Sequence, residues 1–321
     1  RIEDKEIVAA AAINRNELAL LVQSDSGNLG LQHVQGPLLS QLVYEVADLE
    51  DPTPASLIAK DNLRTAIFVE NGLKARQFSF GDTIEIGATV TLAETSPYDK
   101  FDVAQNDSSM MIAYSELYTD GNGSGPTLKR TLVDLDDLTN IDTAFVTVEG
   151  AGVIRISSNP VITSVSDNFL VVYVRHIADI GSQMFSIRLN ALGELINGPT
   201  LLHQSDPSMR IQTPHLNVDS RQSVGLVWVE ENLITSTVGH NVLMMMLSDS
   251  GTIASPVVKL ATDMELPEPK IDFVEPGAMV LSRASVDPEG QAEAPYELRA
   301  EIFNTSNLCE GAMRRSKRKG N

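Results

Sequence analysis

Short apolar runs, each pair separated by a polar turn, recur along this chain in the same internal order. Four segments read alike: TPASLIAKDNLRTAIFV from Thr53, NPVITSVSDNFLVVYV from Asn159, TPHLNVDSRQSVGLVWV from Thr213 and EPKIDFVEPGAMVLSR from Glu268. Each opens on a proline (Pro54, Pro160, Pro214, Pro269), then gives a short apolar strand, a polar turn and a strongly apolar strand. Proline suits the first residue of a strand, where no ladder donor is needed. A fifth copy runs from Tyr98, with Pro97 just before it, and a sixth from Glu6 keeps both strands without a proline. The aromatic of the second strand recurs as Tyr114, Tyr173 and Trp228.

A third strand follows in each unit (LGLQHVQ, ARQFSF, TLKRTLVDL, FSIRLNALG, VLMMMLSDSG, ELRAEIFNTS). A weaker fourth closes most of them (QLVYEVA, ATVTLA, TAFVTVE, PTLLHQ, PVVKLA). Four strands in roughly 45–60 residues is the size and order of a propeller blade. Helical periodicity is hard to find, a β-sandwich gives no reason for a four-strand period, and solenoid repeats are usually shorter. The chain therefore resembles β-propeller repeat proteins as a class, which implies an all-β fold of about six four-stranded blades. Another all-β repeat array is the alternative. The blades are expected at 6–50, 53–94, 97–150, 159–205, 213–263 and 268–316, with a basic tail at 312–321. The last unit lacks a good fourth strand; Gly311 to Ser316, residues before Glu6, or a partner would complete it.

Composition narrows the partners more than the fold. At 42% apolar residues the chain of 321 is globular, and no apolar run reaches the ~20 residues of a membrane span. A net charge of −19 argues against general nucleic-acid binding, which needs clustered Lys and Arg. One cysteine, Cys309, excludes an intrachain disulfide. The chain begins without Met, as expected of a processed or partial product. The turns LNALG and LSDSG resemble third-to-fourth-strand turns of surface propellers. LSDSGTIAS also resembles the Asp-box turn of sialidases, with its aspartate one position early and its aromatic missing.

Candidate chemistry concentrates in the connections between second and third strands. Four read as long loops: Ser115–Pro126, Arg175–Gln183, Glu230–Asn241 and Ser285–Pro295. Long irregular loops on one face make a natural binding surface. Tyr118, Asp120, Asn122, His176, Asp179, Glu231, His240 and Asp287 are its candidate ligand- or partner-binding residues. Asp120, Asn122 and Ser124 ahead of Gly125 resemble the start of a calcium loop, although Leu128 and Thr131 stand where acidic ligands would follow. No other cofactor is expected. His176, His203, His215 and His240 fall in two neighbouring units without metal-ligand spacing. Neither a nucleophile elbow nor a singled-out carboxylate pair is visible among 43 acidic residues. Sequons begin at Asn106, Asn122 and Asn304.

The tail sets Arg314, Arg315, Lys317, Arg318 and Lys319 on an otherwise acidic chain; without these five the net charge of −19 becomes −24. It would dock on an acidic neighbour or support an oligomer. The reading is a non-catalytic binding or structural module, presenting loops to a protein or glycan at an extracellular, surface or virion-type location. A glycan-active hydrolase or lyase is the alternative.

Overall fold

The computed structural model describes residues 5–14, 17–35, 38–49, 53–81, 83–97, 100–121, 123–233, 240–264, 269–274, 277–285 and 296–303. Every element among them is a strand. The first blade is β1 (Lys5–Asn14), β2 (Glu17–Ser24), β3 (Leu29–Gln35) and β4 (Leu38–Ala47). The second is β5 (Ala55–Lys60), β6 (Leu63–Val69), β7 (Leu73–Phe80) and β8 (Ile84–Ala93). The third is β9 (Phe101–Gln105), β10 (Ser109–Asp120), β11 (Gly123–Asp134) and β12 (Ile141–Phe145), followed by a small hairpin of β13 (Thr147–Val148) and β14 (Gly152–Val153). The fourth is β15 (Val161–Val165), β16 (Asn168–Ile177), β17 (Gly181–Leu189) and β18 (Leu195–Gln204). The fifth is β19 (Met209–Val218), β20 (Val224–Asn232), β21 (His240–Leu247) and β22 (Val258–Met264). The sixth shows β23 (Lys270–Val274), β24 (Gly277–Ser285) and β25 (Tyr296–Phe303). Each sheet keeps its strands in chain order. The segments expected to complete the last blade lie outside the described residues.

Two compact units partition the chain, Arg1–Tyr118 with Lys129–Phe145, and Thr119–Leu128 with Val146–Asn321. Within each, the core lies in the seams between neighbouring blades, because alternation gives every strand one face for each neighbour. Leu21, Leu31, Phe68 and Phe78 fill the first seam of the first unit, and Ile67, Met110, Ile112 and Tyr114 the second. In the second unit Val172, Val174, Leu226 and Trp228 join the fourth blade to the fifth, and Val227, Met244, Ile271 and Val280 join the fifth to the sixth. In the first five blades the second strand carries an unbroken run of at least five buried residues, which is why it gives a strong apolar signal.

Several expectations change. Ser115–Pro126 and Arg175–Gln183 are not long loops. β10 runs on to Asp120 and β11 starts at Gly123, while β16 and β17 leave only residues 178–180 between them. The protruding end of β10 alternates half-buried with exposed positions, so its polar residues look like loop in a sequence although the strand continues. TAFVTVE is not one strand: β12 ends at Phe145 and the hairpin follows. The fifth blade starts at Met209, and Pro214 falls inside β19 at a register shift between Gln212 and His215, where a missing N–H costs nothing.

Pairing is unbroken between the second and third strands of the first, second, fourth and fifth blades. The fourth strands of the same blades shift register at least twice.

The third-to-fourth-strand turns are the expected ones. Asn190 Oδ1 accepts the N–H groups of Leu192 and Glu194, and Ser248 Oγ accepts that of Thr252. Gly251 closes the second turn at φ +80°, its carbonyl accepting Ser186 Oγ–H at 2.7 Å. A Cβ there would lie 2.5 Å from Leu170 Cδ1 in the core of the neighbouring blade. Left-handed backbone and overpacking act together, so Gly251→Ala is expected to cost about 2–3 kcal/mol in urea unfolding. A loss under about 0.5 kcal/mol would show that the turn yields freely.

Candidate functional site

In a sequential meander, the end of the second strand lies at the edge from which the fourth strand leaves for the next blade. One pattern recurs there: Phe68-Val69-Glu70, Tyr114-Ser115-Glu116 and Trp228-Val229-Glu230. The three aromatics are fully buried in the seam toward the preceding blade. A residue two positions on along a strand points the same way, so each glutamate caps that seam. Each is met by a basic side chain: Lys74 Nζ lies 2.6 Å from Glu70 Oε2, Lys129 Nζ 2.6 Å from Glu116 Oε2, and His203 Nε2 2.7 Å from Glu230 Oε1. The fourth blade has Tyr173-Val174-Arg175, its exposed guanidinium replacing the carboxylate.

The seam of the second and third blades is the richest. Glu116 also accepts the hydroxyl of Thr95. Lys129 lies over the Phe145 ring, 5.1 Å from its centroid, and Tyr118 packs against Phe145 at 4.7 Å between centroids. The stacked cation holds the carboxylate fixed while the aromatic pair flanks it. Below, Tyr114 gives its hydroxyl to or accepts from Thr131 at 3.3 Å, and burial pushes its pKa up to about 12. Burial does the same to Tyr173, whose ring stacks on Phe185.

The tip of the β10–β11 hairpin is held separately. Arg155 reaches Asp120 Oδ1 at 3.0 Å and donates to the carbonyls of Gly123 and Gly125 and to Thr127 Oγ1. From there Ile156 N–H bonds Pro126 O, Ser157 N–H bonds Val174 O, and His176 N–H bonds Ser157 Oγ. Ser182 and Ser205 exchange hydrogen bonds between the β16–β17 turn and the exit of β18, and Leu233 N–H bonds Ser208 O. The hairpin tip, the β16–β17 turn and the end of β20 thus lie along one edge of the second unit.

The sequence candidates distribute unevenly. Tyr118 stands beside the glutamate seam. Of the expected calcium oxygens, Asp120 is engaged by Arg155, Ser124 Oγ accepts from Thr119, and Asn122 lies outside the described residues. No group of three or more His, Cys, Asp or Glu placed to hold a metal occurs among the described residues. His176 and His240 were expected in loops and lie on strands, His176 against Ser182 and His240 buried at the start of β21. Asp179 occupies the tight turn at φ 67°, and Glu231 bonds Gln212 on the sheet face opposite Glu230. Asp287 and Arg314, Arg315, Lys317, Arg318 and Lys319 lie outside the described residues. Sequence reasoning missed the aromatic-x-Glu triplets although FVE, YSE and WVE are plain in the chain.

A separate hollow of about 340 Å³ opens in the first blade, lined by Val22, Leu29, Gly30 and Val43 and rimmed by Ser24, Ser26, Asn28, Glu45 and Asp48.

No protein-family model matches the chain, and no curated protein matches its sequence. Solved structures do match in fold. The lectin of Aleuria aurantia, a six-bladed β-propeller, superposes with a TM-score of 0.55 at 10% identity, over 94% of this chain and 93% of that one. A variant of that lectin bound to Fucα1-6GlcNAc gives 0.53 at 10% identity, over 95% and 97%. A protein of unknown function from Dyadobacter fermentans gives 0.53 at 10% identity, over 94% and 100%. The chain has the all-β fold of six-bladed β-propellers.

Proposed function

We propose that this propeller is a non-catalytic glycan-binding module that takes neutral sugars at the capped seams. The observation that carries the reading is the repetition of one arrangement, a buried aromatic and a glutamate held by a basic side chain, in three blades. A held carboxylate keeps lone pairs for sugar hydroxyls, and neighbouring apolar rings suit the C–H faces of a pyranose. Catalysis needs one such place; avidity gains from several. The Aleuria lectin, bound to a fucose-containing disaccharide, is a precedent for sugar binding on this fold.

The test is binding of the full chain to an array of immobilised neutral and anionic oligosaccharides. Retention on neutral glycans is expected, and Glu116→Gln is expected to weaken it about tenfold, the scale of one charge-assisted hydrogen bond with its amplification by multivalency. No retention on any neutral glycan would refute the reading. Release of reducing ends from the array would favour the hydrolase instead.

A further inference from the structure

Buried polar groups in folded proteins nearly always have a partner. At the seam of the fourth and fifth blades Trp228 is an exception: its Nε1 is shut off from solvent and has no hydrogen-bond partner among the described residues. The repeat supplies the reason. In the third blade Tyr114 finds Thr131 on the neighbouring strand, whereas the residue paired with Trp228 across β20 and β21 is Leu243, which has no acceptor. The ring of His203 leans on the indole, with centroids 5.3 Å apart and planes at 47°, while its Nε2 holds Glu230. Most of the other neighbours of Trp228 in this seam are apolar side chains of the shared core. His203 is partly exposed, and through Glu230 it joins the indole to polar groups at the strand end.

We infer that this seam admits a neutral pyranoside whose ring or hydroxyl oxygen accepts the Trp228 Nε1–H, with His203 swinging off Glu230 to let it in. The inference rests on the glycan-binding reading above and assigns the deepest of the seam sites. Glu230, released, accepts a ligand hydroxyl, and its charge selects against anionic sugars. Phe68 has no polar atom and Tyr114 is already partnered, so neither of the other two capped seams makes the same demand.

Trp228 is the sole tryptophan of the chain, so its emission reports this seam alone. The full chain is titrated with the methyl glycosides of fucose, galactose, mannose and glucose, each followed by calorimetry and by intrinsic fluorescence. A saturable emission change is expected, with the midpoint of one calorimetric class, and Trp228→Phe is expected to weaken that class at least tenfold while sparing the rest. Heat without an emission change overturns the assignment of this seam and leaves the glycan-binding reading standing. Neither heat nor emission change with all four glycosides overturns both. Acrylamide quenching supplies a readout that needs no ligand: His203→Ala is expected to raise it severalfold, and unchanged quenching would remove His203 as the cover.

Discussion

Trp228→Ala is expected to destabilise the second unit by about 3–5 kcal/mol, the usual cost of emptying a large aromatic site in a packed core. The indole is fully buried among Val172, Val174, Leu226 and Met245, drawn from two blades, so neither sheet can collapse onto the space without leaving the other. Trp228→Phe separates two contributions. It gives up part of the buried area but also removes a donor that has no acceptor, and an unmet buried donor costs about 1–3 kcal/mol. Phenylalanine is therefore expected to come within about 1 kcal/mol of the parent protein. Urea midpoints of the three proteins decide the matter. If phenylalanine costs as much as alanine, the indole N–H is satisfied in the free protein.

Acid is expected to loosen the same unit through His215. Its Nδ1 accepts the backbone N–H of Ile271 at 3.2 Å across the seam of the fifth and sixth blades. Burial, with Lys270 adding repulsion, lowers its pKa from the ordinary 6.5 to about 3. Protonation would turn Nδ1 from acceptor into donor, setting two N–H groups against each other. The unfolded chain takes up this proton near pH 6.5 while the folded one refuses it until about 3, so the unfolded state binds more protons throughout that window. Stability contributed by the neutral ring is full above pH 6.5 and drains away as the pH falls toward 3. At about 1.4 kcal/mol per pH unit, the share lost between pH 6.5 and 4 is about 3 kcal/mol. Carboxylates titrate in the same range, so the comparison is with His215→Gln, which never takes the proton. The fall in unfolding free energy over that interval should be about 3 kcal/mol smaller in the variant. Equal slopes would mean that the ring is solvated or protonated in the folded state.

The fold was legible because its signal is repeated. Four recurring prolines, three of them just ahead of a first strand and Pro214 within one, and the apolar second strands set the four-strand period, and a copy that strays, such as the proline-free unit from Glu6, is carried by the others. The site was less legible for a physical reason. A reader of sequence looks for function in irregular loops, yet Tyr118 and His176 sit on strands that continue past the body of the sheet. Glu70, Glu116 and Glu230 read as solvated charges at strand ends. Their common role depends on which face of the sheet they take, and that follows only once Phe68, Tyr114 and Trp228 are known to be in register. The basic partners could not be foreseen at all, since Lys74 and Lys129 come from third strands and His203 from the fourth strand of a neighbouring blade.

The broken pairing of the fourth strands bears on how this molecule meets copies of itself. A straight outermost strand offers a continuous row of free N–H and C=O groups on which another chain can zip, and β8 in particular is long, weakly charged and exposes Ile86. Its ladder to β7 slips between Leu73 and Lys74 and again between Arg76 and Phe78, and β18 slips three times against β17. Each slip adds twist and turns the free row away from a single plane. The rims of the blades are thereby poor templates for cross-β growth.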